Sequence, residues 1–495
     1  MEPMTMFLCL SIFLLSLLTW KIHKKRLQLP PGPFPLPLLG NVLQGTTVLY
    51  DSYRKFYEKY GPVFTIWQGS TPLVVLCGYE ALKDALINQS QEFGDRGIFA
   101  LSGRLTNGYG VLNTNGERWQ QLRRFSITVF RNFGMGKRSM EERIQEEARH
   151  LIQAVQDTGG KPFNPVHLLG RAVNNIINLT VFGRSWGYED KTLLKLVNVL
   201  NNILLFIRTP LGVIYAAFFK IMRHLPGPHQ KIFHDSEIVK SFIREQIQFH
   251  RDTLDSNSPR DYIDCFLIKA DQEKDLHSSE FSQENLVNTV FELFLAGTET
   301  TANTMQFSLL AIITYPHIQE RVQKEIDQVV GSDRLPGIAD RPQMPYTNAV
   351  IHEIQRFLDL APLALPHMVT QDTVFKGFRL LKGTTVIPLI GSALRDPAHW
   401  ETPEEFNPEH FLNQNGEFYM CPAFMPFSAG KRVCLGEGLA RMEIFLFFTG
   451  LLQKFTFTSA NQTDTFDLRT LRRAFRKKGL VYKLRAIPRT CTLKN

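Results

Sequence analysis

Ten residues near the C-terminal end, Phe427-Ser428-Ala429-Gly430-Lys431-Arg432-Val433-Cys434-Leu435-Gly436, constrain this chain more than any other stretch. They lead into a helical segment expected from about Leu439 to Leu452. Gly430 and Gly436 permit tight backbone beside a planar cofactor. The helix that follows aims its N-terminal dipole at Cys434, which lowers the thiol pKa and favours a thiolate able to ligate iron. Phe427 could shield the sulfur, and Arg432 could pair with an acidic group of the cofactor. Most lone cysteines are small buried hydrophobes, and that account suits Cys77 and Cys265. It leaves the glycines, the arginine and the aromatic of this loop unexplained.

A cofactor of that size needs a deep enclosure, and the composition supplies one. The chain has 495 residues, 44% of them hydrophobic and 21% charged, which is too apolar for a disordered protein and long enough to enclose a large ligand. Six cysteines without a CxxC pair exclude a disulfide scaffold and a zinc finger, and fit a reduced compartment. From residue 41 to 495 there is no internal repeat and no clean linker, so the body is expected to be one domain. Strand-like runs occur early, at 63–67 and 73–76, whereas 140–155 and 285–314 carry helical periodicity. The expected class is mainly α with small β-sheets.

Residues 1–20 contain an apolar run, Met4 to Trp20, at the lower limit for a membrane-spanning helix. Lys21, Lys24, Lys25 and Arg26 follow it and favour a cytosolic body behind an uncleaved anchor, since no small-residue cleavage site is present. Residues 21–40, with Pro30-Pro31-Gly32-Pro33, Pro35 and Pro37, read as a semi-rigid stem. A cytosolic body makes the three glycosylation-like triplets at Asn88, Asn178 and Asn461 chance matches. The apolar stretch 204–221 is broken by Pro210 and Gly212 and reads either as buried core or as a second, shallow membrane contact.

The FxxGxRxCxG pattern of the Cys434 loop resembles the haem-ligand loop of the cytochrome P-450 superfamily, and the PPGP stem is similar to that of its vertebrate microsomal family 2. The resemblance extends from the N-terminal run to the last residues. It implies one mostly helical domain around a buried haem b, with Cys434 as proximal ligand and Phe427, Arg432 and Gly436 beside the cofactor. Ala296-Gly297-Thr298-Glu299-Thr300-Thr301 is similar to the family's central-helix motif, in which Glu299 and Thr300 would relay the two protons that dioxygen cleavage consumes. Threonines that bond the carbonyl four residues back, together with Gly297, invite a local kink there. Glu353 and Arg356 resemble the family's buried ExxR pair. His410 stands where many members carry arginine as the third partner. Trp119 and Arg123 lie one helical turn apart, and by resemblance they join Arg96, His367 and Arg432 as partners of the haem propionates.

No GxGxxG fingerprint and no flavin or ferredoxin pattern is present, so electrons must come from outside. Arg124, Arg131, Phe133, Met135, Lys137 and Lys431 fall in segments that the family places on the cysteine face. They resemble a docking site for an acidic NADPH-dependent flavoprotein reductase and for a b-type cytochrome at the endoplasmic reticulum membrane. By family position Leu112, Asn113, Phe206, Leu295, Ala296, Ala361, Leu365 and Phe475 would line a pocket for lipophilic substrates such as fatty acids, steroids or drug-like compounds. Asn113 either orients a polar group or turns away. The activity implied is insertion of one atom of dioxygen. A haem-thiolate peroxide isomerase needs neither a relay nor a docking cluster, and a non-catalytic haem or lipid carrier would tolerate loss of Thr300. The net charge of +9 is dispersed and surrounds no nucleic-acid module, so it points to membrane lipid and the reductase.

Overall fold

β-branched runs near the N-terminus form a hairpin, β1 (Val63–Gln68) against β2 (Thr71–Leu76), antiparallel with Val63 opposite Leu76. The computed structural model describes residues 3–44, 49–97, 99–133, 138–187, 190–207, 209–461, 467–478 and 482–489. Strand β7 (Thr385–Pro388) runs parallel to β2, and the short strands β4 (His367–Met368) and β3 (Asp95–Arg96) complete the five-stranded sheet in the order β1-β2-β7-β4-β3. Two-stranded pieces, β5 (Thr373–Phe375) with β6 (Phe378–Leu380) and β8 (Phe455–Ser459) with β9 (Leu484–Pro488), account for the other strands among the described residues. All the rest of the regular structure is helix, as the periodicity requires.

The organising element is the helix Gln283–Thr314, 32 residues long and capped by the Ser282 hydroxyl, which accepts the Asn285 N–H. A helix apolar all round must be buried all round. Its N-terminal half, through Leu286, Val290, Phe291 and Phe294, belongs to a core shared with the helices Gly116–Asn132, Lys191–Ile207, His229–Asp252 and Tyr262–Gln272. Its C-terminal half, from Ala302 to Ile312, belongs to a second core with the helices Arg138–Gln156, Pro316–Val329, Pro345–Leu358 and Glu437–Lys454. Between the halves, Ala296 and Thr300 are the exposed residues of a helix otherwise enclosed beyond its first turn. The polar hexapeptide therefore lies where the two cores part.

The N-terminal run folds as a helix, Pro3–Arg26, but among the described residues no single helix is long and apolar enough to cross a membrane. The stem departs from a free spacer. The Thr65 N–H of β1 donates to Pro31 O at 2.8 Å, and a Cβ on Gly32 would stand 1.9 Å from Thr65 O, so the proline stretch is laid directly onto the sheet. The stretch 204–221 splits its character. Phe206, Gly212 and Tyr215 are buried, while Leu205, Ile214 and Ile221 are exposed.

Candidate active site

Gly430 adopts φ +71° because a side chain there would collide with the Leu86 carbonyl, so the Cys434 loop is pressed against the Asp84–Asn88 turn. The loop closes on itself through the Cys434 N–H, which donates to Phe427 O at 3.0 Å. Gly436 differs from expectation: its φ is −91°, and no protein atom lies within 4 Å of where a Cβ would stand, so protein packing does not demand glycine there. It caps the helix Glu437–Lys454. Cys434 keeps open surface on one side and is enclosed by protein on the others. The enclosure pushes its thiol above the ordinary range, and the nearby Glu437 charge pushes the same way. The N–H groups of Gly436 and Glu437 and the Arg123 guanidinium pull down and are outweighed. The expected dipole effect is thus present but overridden by burial, and binding a metal would displace the proton.

Beside this loop three guanidinium groups converge. Arg123 donates to Val433 O at 2.7 Å. Arg432 is buried, donates to Gly94 O at 2.8 Å and to Thr114 O at 2.9 Å, and stacks 3.8 Å over the Trp119 ring. Arg96 donates to Leu112 O, to Leu365 O and to the ring of His367. Burial, sharpened by mutual repulsion, lowers Arg96 to about 10 and Arg432 to about 9. One atom, Nη1 of Arg432, is buried with no partner among the described residues. Cations gathered this closely call for an anion. His367, expected as a further propionate partner, stands against Arg96. It is buried, Nδ1 donates to Phe93 O and Nε2 accepts from Arg96, so both nitrogens are committed to orienting that arginine. Burial holds its pKa near 3, in the neutral form this requires.

In the central helix the Thr300 hydroxyl donates to Ala296 O at 2.8 Å and Thr298 to Phe294 O at 2.8 Å, the expected back-bonding. The helical pattern nevertheless runs unbroken through the motif, and Gly297 serves packing: a Cβ there would meet Ile177 at 3.0 Å. Glu299 is half-buried and accepts from Asn303 Nδ2 at 2.9 Å. Glu353 and Arg356 are fully buried and bonded to each other twice, at 2.6 and 2.7 Å. Nδ1 of His410 lies 3.3 Å from Glu353 Oε2.

Of the expected pocket residues, Leu112, Asn113, Leu295 and Leu365 are half-buried, Ala296 and Ala361 are exposed, and Phe206 is buried in the core around the N-terminal half of the central helix. Phe475 does not join them. It is buried in the other core, because the helix Leu468–Lys478 turns Arg469 and Arg473 outward and Leu468, Arg472 and Phe475 inward. Arg124, Arg131 and Lys431 are exposed and Phe133 half-buried; Met135 and Lys137 lie outside the described residues.

The match to known proteins decides the family. Residues 30–482 fit the family Cytochrome P450. The chain belongs to that family. It is 48% identical to Cytochrome P450 2A10 of Oryctolagus cuniculus over 97% of both chains, 46% identical to Cytochrome P450 2A13 of Homo sapiens over 98% of both, and 46% identical to Cytochrome P450 2C8 of Homo sapiens over 97% of both. A cytochrome P450 of this kind is a haem monooxygenase. The residues present suit haem: a dianionic cofactor answers the buried guanidiniums of Arg96 and Arg432, the half-buried one of Arg123 and the Arg432 Nη1 that lacks a partner among the described residues, and a thiol with open surface answers the iron.

Three groups important to this P450 site escaped the sequence reading. Glu292, one turn before Ala296, is buried and accepts N–H bonds from Val111 and Leu112; burial pushes its pKa up to about 8. A single carboxylate inside Val287–Leu295 was its visible signal. Asn115 bonds both the Arg96 N–H and Arg432 through Oδ1. Arg441 bonds Glu437 at 2.9 Å, a pair whose spacing of four was its sequence mark, and lies 5.2 Å from the Phe427 ring centroid.

Proposed function

We propose that this cytochrome P450 is a haem-thiolate monooxygenase of the endoplasmic reticulum membrane, with its catalytic body on the cytosolic side, that oxidises lipophilic substrates with electrons from an NADPH-dependent flavoprotein reductase. The observation that carries it is the pairing of an accessible Cys434 with the buried Arg96 and Arg432 and the half-buried Arg123. Bound there, haem supplies reductive activation of dioxygen. Cys434 would hold the iron, and Arg96, Arg123, Arg432 and Trp119 the propionates. The Thr300 oxygen keeps accepting capacity beyond its bond to Ala296, and Glu299 stands beside it, so the pair would receive and pass protons inside the apolar helix.

The membrane reading is supported by the helix Pro3–Arg26, which ends in His23, Lys24, Lys25 and Arg26. The exposed Ile214 and Ile221, with Leu36 and Leu38 of the stem, offer the body an apolar contact of its own, consistent with the shallow-contact alternative. Entry from lipid suits an apolar pocket and therefore lipophilic substrates. The domain limits proposed are an anchor in 1–20, a stem in 21–40 and a catalytic domain in 41–495.

A reduced carbon monoxide difference spectrum tests the ligand. The thiolate-type Soret band is expected in the wild type and absent in Cys434→Ala; a band surviving that substitution overturns the assignment. Product analysis with reductase, NADPH and a lipid and xenobiotic panel tests the reaction, and turnover without NADPH or reductase would favour peroxide isomerisation instead.

A further inference from the structure

Glu292 sits where an acid is costly, between Phe291 and Leu293 on the buried half of the central helix. Its Oε2 accepts the N–H of Val111 at 2.7 Å and of Leu112 at 2.8 Å. Two turns earlier on the same face, Asn285 Oδ1 accepts the N–H of Gly110 at 3.2 Å. Three successive N–H groups of one loop are thus held by two side chains of one helix. The loop's carbonyls face the other way: Leu112 O accepts from Arg96 Nε at 3.2 Å and Thr114 O from Arg432 Nη2 at 2.9 Å. Gly110 is required for the fit. Its φ is +90°, and a Cβ would come within 2.4 Å of Glu292 Oε2. The second oxygen, Oε1, is buried and has no partner among the described residues, so Oε2 alone holds the loop.

We propose that Glu292 is the positioning residue that sets the height of the 110–114 loop over the central helix, and that through Leu112 and Asn113 it determines which sizes of ligand the pocket accepts. The inference rests on the reading above that these two residues line the pocket. A loop bonded on one side to the central helix and on the other to the propionate arginines cannot shift without breaking bonds at both. Glu292 is fitted by length as well as by chemistry: an aspartate at the same position is a methylene short of the two N–H groups. The clamp acts on the pocket and not on the iron, so small ligands that need only the iron are predicted to ignore it.

The test uses the full-length haem protein. Hydrogen exchange of the 108–115 segment reports the clamp, and ferric difference spectra with imidazole and with a biphenyl-substituted imidazole report the pocket. Glu292→Leu is expected to speed exchange and to change the ratio of the two dissociation constants by about tenfold or more, the equivalent of two lost hydrogen bonds. Imidazole itself should change by less than about threefold. Glu292→Gln, which keeps an acceptor oxygen at the right length, is expected to retain protection. If Glu292→Leu does not fold, Glu292→Asp serves, and it should show the same two changes. Unchanged exchange, or an unchanged ratio with faster exchange, overturns the proposal. Leu112→Phe separates the causes: if it too leaves the ratio unaltered, the assignment of the loop to the pocket has failed; if it shifts the ratio while Glu292→Leu does not, the clamp has failed alone.

Discussion

Arg356 commits all five of its N–H donors, two of them to Glu353. Nε and Nη2 bond the two carboxylate oxygens at 2.6 and 2.7 Å, Nη1 bonds Leu394 O and Pro403 O, and the remaining Nη2 donor bonds Glu405 O at 2.6 Å. Glu353 is equally complete, since Oε1 also accepts the Asn407 N–H at 2.8 Å and Oε2 faces His410. One buried pair thereby ties the helix Pro345–Leu358 to five points of the 394–410 segment, which runs on toward the Cys434 loop.

Removing either partner strands a buried charge. Glu353→Ala or Arg356→Ala is predicted to cost about 3–5 kcal/mol and to leave protein without haem. Arg356→Lys should fare little better, because three donors on a point charge cannot replace five in a fork. Urea unfolding and haem content by pyridine haemochrome check both; a variant with full haem and wild-type midpoint refutes the bracing role. His410→Ala, which removes one 3.3 Å contact to Glu353 and the bonds of Nε2 to Thr402 but strands no buried charge, should be the mildest of the set.

The arginine cluster makes a separate prediction about cofactor retention. A charged hydrogen bond is worth about 1.5–3 kcal/mol, so Arg432→Leu should speed haem release about tenfold or more. Transfer of haem to an excess of apomyoglobin measures the rate. Trp119→Ala, which removes the ring that Arg432 stacks on, should move it in the same direction by less. Equal rates in all three proteins would mean that haem does not use these groups.

Two buried groups give pH signatures of opposite sign. His352 donates to Asn348 O at 2.7 Å and accepts from Arg441 at 2.9 Å, and burial lowers its pKa from 6.5 to about 3. A depressed pKa means that the fold excludes a proton, so stability present above 6.5 is lost as pH falls toward 3. Glu292, raised from 4.5 to about 8, binds a proton on folding, so its contribution is full below 4.5 and is lost as pH rises through 8. Relative to wild type, His352→Phe should therefore gain stability as pH falls from 6.5, and Glu292→Gln as pH rises from 4.5. Urea midpoints across that range read both, and parallel curves for wild type and variant contradict the assignment.

What the sequence made legible follows from the range of the interactions. The helix Gln283–Thr314 and strands β1 and β2 were visible as periodicity, because local pattern determines them. Glu353 and Arg356 were visible because a spacing of three puts them on one helix face. The bonds of His367 to Phe93 and Arg96 left no local mark because they span more than 270 positions and are set only when β3 pairs with β4. Phe475 was misplaced because its helix forms late in the chain and docks on whichever core its apolar face meets. The lowered Cys434 thiol pKa expected from the helix N-terminus is overturned by burial, because desolvation depends on the whole fold and leaves no local mark in the sequence.

The last prediction concerns electron delivery. Arg124 and Arg131 are exposed on the helix Gly116–Asn132, the same helix whose Arg123 reaches the Val433 carbonyl, and Lys431 is exposed within the Cys434 loop. A negatively charged flavoprotein that docked on them would come close to the cysteine side of the cofactor. Complementary charge acts mainly on encounter rate and is screened when the Debye length falls from about 10 Å at 0.1 M salt to about 3 Å at 1 M. Reductase-supported turnover should accordingly show a several-fold rise in apparent KM for reductase with salt while kcat at saturating reductase holds. Arg131→Glu and Lys431→Glu should raise that KM at low salt and flatten its salt dependence, with the reduced carbon monoxide spectrum unaltered. A KM insensitive both to salt and to these charge reversals would move the docking surface elsewhere on the molecule.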